Sequence, residues 1–178
     1  MEKNINKSLI KIAVTGPEST GKTTLAENLA LRFNSLLVPE YARDYIDNLK
    51  TPYNKQDVEN IAKGQLKSIK DIEKHADKLI ICDTELIVIK IWLDVKYGEC
   101  PQWILNEVQK QNFDLYLLCY PDIPWVYDKQ REHPNLREYL FNLYENELQK
   151  NNFNYHIIKG NIEERMSEAY KKINKLIS

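Results

Sequence analysis

Gly16-Pro17-Glu18-Ser19-Thr20-Gly21-Lys22-Thr23 is a full match to G-x-x-x-x-G-K-[S/T]. Its flanks supply the context that the motif requires: the apolar run 9–15 reads as a strand leading in, and a helical pattern over 22–34 leads out. Gly16 and Gly21 permit backbone angles and a close approach that a Cβ would block. Successive N–H groups of such a turn form a nest for a β-phosphate at the positive end of the next helix. Lys22 then reaches the β- and γ-phosphates, and the Thr23 hydroxyl is placed to hold Mg²⁺. ATP and Mg²⁺ are the expected ligands, with Gly16, Glu18, Ser19, Thr20, Gly21, Lys22, Thr23 and Thr24 as the ATP-binding set. The plain alternative is a glycine-rich turn that binds no phosphate, which leaves the Lys-Thr pair without a purpose.

Outward from this loop, short apolar runs at 9–15, 35–38, 78–82, 113–119 and 155–158 alternate with helical periods at 22–34, 40–49, 55–75, 84–96, 102–111, 135–151 and 162–177. That alternation predicts an α/β fold, βα units around a parallel sheet with right-handed crossovers. The irregular stretch 120–134 carries three prolines and reads as a long functional loop. No repeat or low-complexity tract divides the chain, so residues 1–178 read as a single domain.

Composition narrows the classes. Twenty-five basic against 26 acidic residues leave a net charge of −1, without the positive field that sequence-independent nucleic-acid binding needs. The 11 Tyr, 3 Trp and 4 Phe, set in regular apolar runs, argue for a packed core rather than disorder. Cys82, Cys100 and Cys119 have neither disulfide nor metal-ligand spacing, which fits a reducing, cytoplasmic setting. The N-terminal Met1-Glu2-Lys3-Asn4-Ile5-Asn6-Lys7 has no apolar signal core, and no stretch approaches the roughly 20 apolar residues of a membrane span.

The remaining candidates cluster by position. Asp83 ends the apolar run Ile80-Ile81-Cys82, at the strand end where ligands of open parallel sheets bind. It reads either as a Walker B-like acid for Mg²⁺ or as the N-cap of the helix from 84. Glu40 and Arg43 follow the second strand: Glu40 can orient or deprotonate an acceptor hydroxyl, and Arg43 can hold an anionic or ribose oxygen. Their structural alternative is a first-turn acid with its i,i+3 partner. Arg131, and after it Arg137, are candidates for a lid arginine that closes on the γ-phosphate, against an ordinary solvated role. Trp92 and Trp125 are either ring-stacking platforms or core. Asn54-Lys55-Gln56-Asp57 has the letters of a guanine-reading segment but precedes the third strand, so a GTPase is not expected. A compact small-molecule kinase remains, with a kinase for another metabolite or an ATP-binding regulatory ATPase as the competing classes.

Several segments together resemble the ribosylnicotinamide kinase domain of NadR-type proteins, a branch of the P-loop kinases. They are Gly16 through Leu25, Glu40-Tyr41-Ala42-Arg43-Asp44-Tyr45, Ile61-Ala62-Lys63-Gly64-Gln65, Asp83-Thr84-Glu85, Tyr97-Gly98 and Pro124-Trp125-Val126-Tyr127-Asp128-Lys129-Gln130-Arg131. The resemblance implies strand order 2-3-1-4-5, helices on both faces and a lid over 120–137. It also implies transfer of the ATP γ-phosphate to the ribose 5′-hydroxyl of nicotinamide riboside, a nucleoside-like acceptor. Lys22, Glu40, Asp83 and Arg131 are then the catalytic set, and Glu40, Tyr41, Arg43, Tyr45, Trp92 and Trp125 the substrate side. Two departures stand out. Pro39 and Ala42 replace the tryptophan and glycine of the family's Trp-Glu-Tyr-Gly-Arg, and Lys129 replaces a lid glycine. Tyr41, Tyr45 and Trp92 are the candidates to take over the tryptophan's stacking. A chain of this length is expected to lack the adenylyltransferase and DNA-binding domains fused to this kinase elsewhere.

Overall fold

A computed structural model describes residues 9–178; the N-terminal segment read as lacking a signal core lies outside the described residues. Five strands, β1 (Ile10–Thr15), β2 (Leu36–Val38), β3 (Leu79–Asp83), β4 (Leu115–Cys119) and β5 (Tyr155–Ile158), pair in parallel in the order β2-β3-β1-β4-β5. This is the expected 2-3-1-4-5 order. The central strands β3 and β4 are buried along their whole length, and β1 over its last four residues. Both faces of these strands are covered, which is why they read as near-continuous apolar runs rather than alternating ones.

Seven helices complete the described chain: α1 (Lys22–Phe33), α2 (Tyr41–Asp47), α3 (Lys55–Glu73), α4 (Leu86–Tyr97), α5 (Gln102–Gln109), α6 (Arg137–Lys150) and α7 (Ile162–Ile177). The two-residue period of the strands sorts the core. Ile12, Val14, Leu115 and Leu117 pack toward α1 and α7, while Ala13, Tyr116 and Leu118 face the side covered by α3 to α6. No described helix is long and apolar enough to cross a membrane. Among the described residues the three cysteines are unpaired, Cys82 and Cys119 buried and Cys100 partly so.

Helix starts explain two sequence features. The Asn54 side chain accepts the N–H groups of Gln56 and Asp57, while Asp57 accepts that of Asn54. The segment that imitates a guanine reader is thus the capping box of α3. The helix expected from residue 84 begins instead at Leu86, because Glu85 is its N-cap and accepts the Ile87 N–H at 2.7 Å. Asp83 therefore closes β3 and does not cap the helix.

One buried cation ties the sheet end together. Arg165 of α7, 2% exposed, donates to Thr20 O at 2.9 Å, Tyr120 O at 2.8 Å and Gly160 O at 2.6 Å, and pairs with Asp122. Asp122 in turn accepts the Gly160 N–H at 2.7 Å. The phosphate loop, the exit of β4 and the start of α7 thus share one guanidinium, whose planar fork can serve several acceptors at once. Arg165→Met removes the donor shared by three carbonyls, while Asp122 keeps the Gly160 N–H and contact with solvent. It should destabilise the chain by about 2–4 kcal/mol in urea unfolding, because buried carbonyls lose their donor. Asp122→Asn, at an exposed position, should cost less than about 1 kcal/mol.

Candidate active site

The chain leaves β1 into the loop 16–21. Gly16 has φ 129° and Gly21 has φ 76°, while Ser19 takes φ 54° without being glycine. Inside the turn, the Thr20 hydroxyl donates to Pro17 O at 2.7 Å and Lys22 Nζ donates to the same oxygen at 2.6 Å. The Lys22 ammonium is thereby held within the loop, at the start of α1 where the helix dipole already favours anions.

Asp83 lies beneath this loop, 2% exposed, with Oδ1 lacking a hydrogen-bond partner. Burial pushes its carboxyl up to about 6; the Thr23 hydroxyl and Lys22 pull the other way, and the Glu40 charge adds to the rise. A buried carboxylate oxygen without a partner is uncommon, and beside a hydroxyl it is a fitting donor for a hard divalent cation. Its neighbour Glu85 is also fully buried but satisfied, accepting from Thr15 Oγ1 at 2.8 Å, Gln111 Nε2 at 2.9 Å and the Ile87 N–H. Glu85 thus braces β1 against α4. Among the described residues no group of three or more His, Cys, Asp or Glu is placed to hold a metal ion.

A single cavity runs from the phosphate loop, residues 16–24, past Glu40 and Arg43 to a largely apolar end. There Tyr53 and Trp92 meet edge to face, ring centroids 5.0 Å apart, and Trp92 Nε1 donates to Tyr53 Oη at 3.1 Å. Ile46, Val88, Ile91, Val95 and Leu140 supply aliphatic walls, and buried Tyr144 is kept neutral by its surroundings. Glu40 stands at the N-cap position of α2 but accepts no helix N–H, and Arg43 pairs with Asp128 at 3.0 Å. The structural alternative, a first-turn acid and its i,i+3 partner, is not what these two side chains form.

The loop between β4 and α6, residues 120–136, covers the opening. Arg131 lines the cavity and donates to Ser19 Oγ at 3.3 Å and to Val126 O. Arg137 donates to Ser19 O at 3.0 Å and to Ile123 O at 2.9 Å. Across the opening, Gln130 Nε2 donates to Arg43 O and Asp47, and Lys129 pairs with Asp47 at 2.8 Å. The lysine that departs from the family's lid glycine thus has an ionic partner on α2.

Three expected substrate residues lie off the cavity. Tyr41 and Tyr45 are one helical turn apart on the face of α2 that meets α3. The Tyr41 ring covers Gly64, and Tyr45 Oη donates to Asp57 and accepts from Asn60. Ala42, Arg43 and Ile46 occupy the other side of α2 and face the cavity. Trp125 is half-buried, with the Arg137 guanidinium 5.8 Å from its ring centre. Of the candidates to replace the missing tryptophan, Trp92 alone lines the cavity, joined by Tyr53, which sequence reasoning did not single out. A signal for this end existed in α4: Leu86-Ile87-Val88-Ile89-Lys90-Ile91-Trp92-Leu93 is apolar almost all round, more than one core face needs.

Known proteins of similar sequence and fold identify the family. The trifunctional NAD biosynthesis/regulator proteins NadR of Salmonella typhimurium and Escherichia coli are 27% and 30% identical, over 93% and 81% of this chain. The chain spans only 42% and 37% of their lengths. A crystal structure of NadR protein in complex with NR superposes with a TM-score of 0.81 at 19% identity, covering 96% of this chain and 51% of that one. The fold is that of the P-loop kinases. With the AAA domain profile matching residues 11–165, the chain belongs to the AAA domain family and is a homologue of NadR.

Proposed function

We propose that this chain is an ATP- and Mg²⁺-dependent kinase that transfers the γ-phosphoryl group of ATP to the 5′-hydroxyl of nicotinamide riboside, giving nicotinamide mononucleotide. The observation that carries the reading is the single cavity joining a phosphate loop to an aromatic pocket, with Glu40 and Arg43 between them. Homology to NadR, and the NR held by a NadR protein of the same fold, favour this acceptor over other nucleosides. The Tyr53 and Trp92 rings offer an aromatic surface to a flat base, beside the Glu132–Lys96 ion pair.

The chemistry assigned to the chain is mostly positioning and charge stabilisation. Backbone N–H groups of 18–23 and the Lys22 ammonium cradle the β- and γ-phosphates. Glu40, half-buried and open to the cavity, accepts the proton of the acceptor hydroxyl as its oxygen bonds to the γ-phosphorus and the bond to the β-phosphate oxygen breaks. Asp83 is too deep for that task and suits Mg²⁺ with Thr23. Mg²⁺, when bound, neutralises charge on the β- and γ-phosphates. The β4–α6 loop acts as a lid: Arg131 faces the transferring group, and the loop keeps water from competing as acceptor.

ADP release measured against a panel of nucleosides tests the reading. Nicotinamide riboside should give the highest kcat/KM, and with a non-hydrolysable ATP analogue it should raise Tm more than other ribosides at equal concentration. Equal turnover of all nucleosides, or of none, refutes the acceptor assignment. Lys22→Ala should cut transfer roughly 10²–10³-fold with an unchanged urea midpoint. Trp92→Ala should raise the acceptor KM about tenfold and leave the KM for ATP nearly unchanged, as expected for a stacking partner.

A further inference from the structure

Glu18 sets an electrostatic puzzle. A carboxylate beside a nest built for polyphosphate repels the anion that the nest attracts. Its hydrogen bonds resolve this, because both carboxylate oxygens are turned onto the backbone of the β4–α6 loop. Oε2 accepts the N–H of Glu132 at 3.1 Å, and Oε1 accepts that of His133. Hydrogen bonds to an ionised acceptor are the stronger kind. The next residue repeats the pattern: Ser19 Oγ accepts the Val126 N–H at 3.0 Å and is also reached by Arg131. Two consecutive residues of the phosphate loop thus aim their side chains at the loop above.

Glu132 carries the connection onward. Its main chain is fixed by Glu18, while its carboxylate accepts from Tyr53 Oη at 2.8 Å and from Lys96 Nζ at 2.8 Å. Tyr53 in turn takes the hydrogen bond of Trp92 and packs on its ring. A continuous set of contacts therefore runs from the phosphate loop, through residue 132, to the aromatic end of the cavity.

We propose that Glu18 is a positioning residue: its carboxylate fixes residues 131–133 above the phosphate loop, setting Arg131 toward the phosphates and Glu132 against Tyr53. Glu18 contributes its backbone to nucleotide binding and its side chain to holding the loop. The inference rests on the proposed kinase reading only in that a nucleotide occupies the phosphate loop.

The test combines backbone hydrogen exchange with kinetics on the whole chain, for wild type, Glu18→Ala and Glu18→Gln. In Glu18→Ala, amides within 126–136 should exchange about tenfold faster while those of β1, β3 and β4 are unaltered. Glu18→Gln keeps one carbonyl acceptor and should fall between, which also covers the case in which the alanine variant folds poorly. The kcat for transfer should drop about tenfold, affinity for a fluorescent ATP analogue should change less than about threefold, and more ATP should be hydrolysed per acceptor phosphorylated. Unaltered exchange across 126–136 overturns the proposal. So does a loss of nucleotide affinity large enough to account for the whole rate loss, since Glu18 would then be a ligand of the nucleotide itself. Should wild type phosphorylate no nucleoside, the acceptor assignment fails alone, and the exchange pattern still decides the role of Glu18.

Discussion

The close approach of Gly16 to the backbone of Cys119 governs the geometry of everything above the sheet. A Cβ built on Gly16 would lie 2.8 Å from Cys119 O and 3.2 Å from Cys119 N, and the residue has φ 129°. Because β1 lies between β3 and β4, the chain leaving it passes over the end of β4 before it turns into α1. Only a residue without a side chain can make that crossing at this separation. The phosphate loop is consequently seated against the very strand from which the 120–136 loop departs. That proximity is what lets Glu18 and Ser19 reach residues more than a hundred positions later in the chain.

The opposite end of the cavity grows out of the core. Leu140 and Tyr144 are buried members of the cluster that packs on the sheet, and they are also cavity walls. On α4, Ile87, Ile89 and Leu93 are buried in the core, while Val88, Trp92 and Val95 border the cavity. One helix thus spends its apolar surface on two surfaces at once. The division has a physical consequence: the Trp92 side of the aromatic end rests on a core helix, whereas Tyr53 and the phosphate end depend on a loop held by hydrogen bonds and ion pairs. No residue of the 120–136 loop is fully buried, so it has the weaker apolar anchoring of the two ends.

Much of this was legible in the sequence, and the reason lies in locality. The phosphate loop, the strand-helix alternation and Asp83 at a strand end are each written within a few adjacent residues, and the strand order followed once the family resemblance was recognised. What could not be read was which face of a short helix meets what. Tyr41 and Tyr45 stand in the same segment as Arg43, yet the 3.6-residue period turns them toward α3 and leaves Arg43 in the cavity. Tyr53 and Glu132 escaped notice because neither sits in a motif. Their partnership joins segments 79 residues apart, and only the fold brings them together. The start of α4 was misplaced for a related reason: Asp83 is the better cap by type, and the burial of Glu85, bonded to Thr15 and Gln111, overrides that preference.

The nearly neutral total charge conceals how the cations of the site are held. Lys22 bonds to the Pro17 carbonyl, and Arg131 bonds to a hydroxyl and a carbonyl, all neutral acceptors. Arg43 instead pairs with a carboxylate, Asp128 of the covering loop. A phosphate oxygen is a better acceptor than a carbonyl, so Lys22 and Arg131 can exchange partners at little cost. Arg43 must give up an ion pair to do the same, and giving it up loosens the loop that carries Arg131. What the structure gives Arg43 is a fastening of the covering loop through Asp128. In the proposed transfer, the two cations assigned to the phosphoryl group, Lys22 and Arg131, are those whose present partners are the weakest.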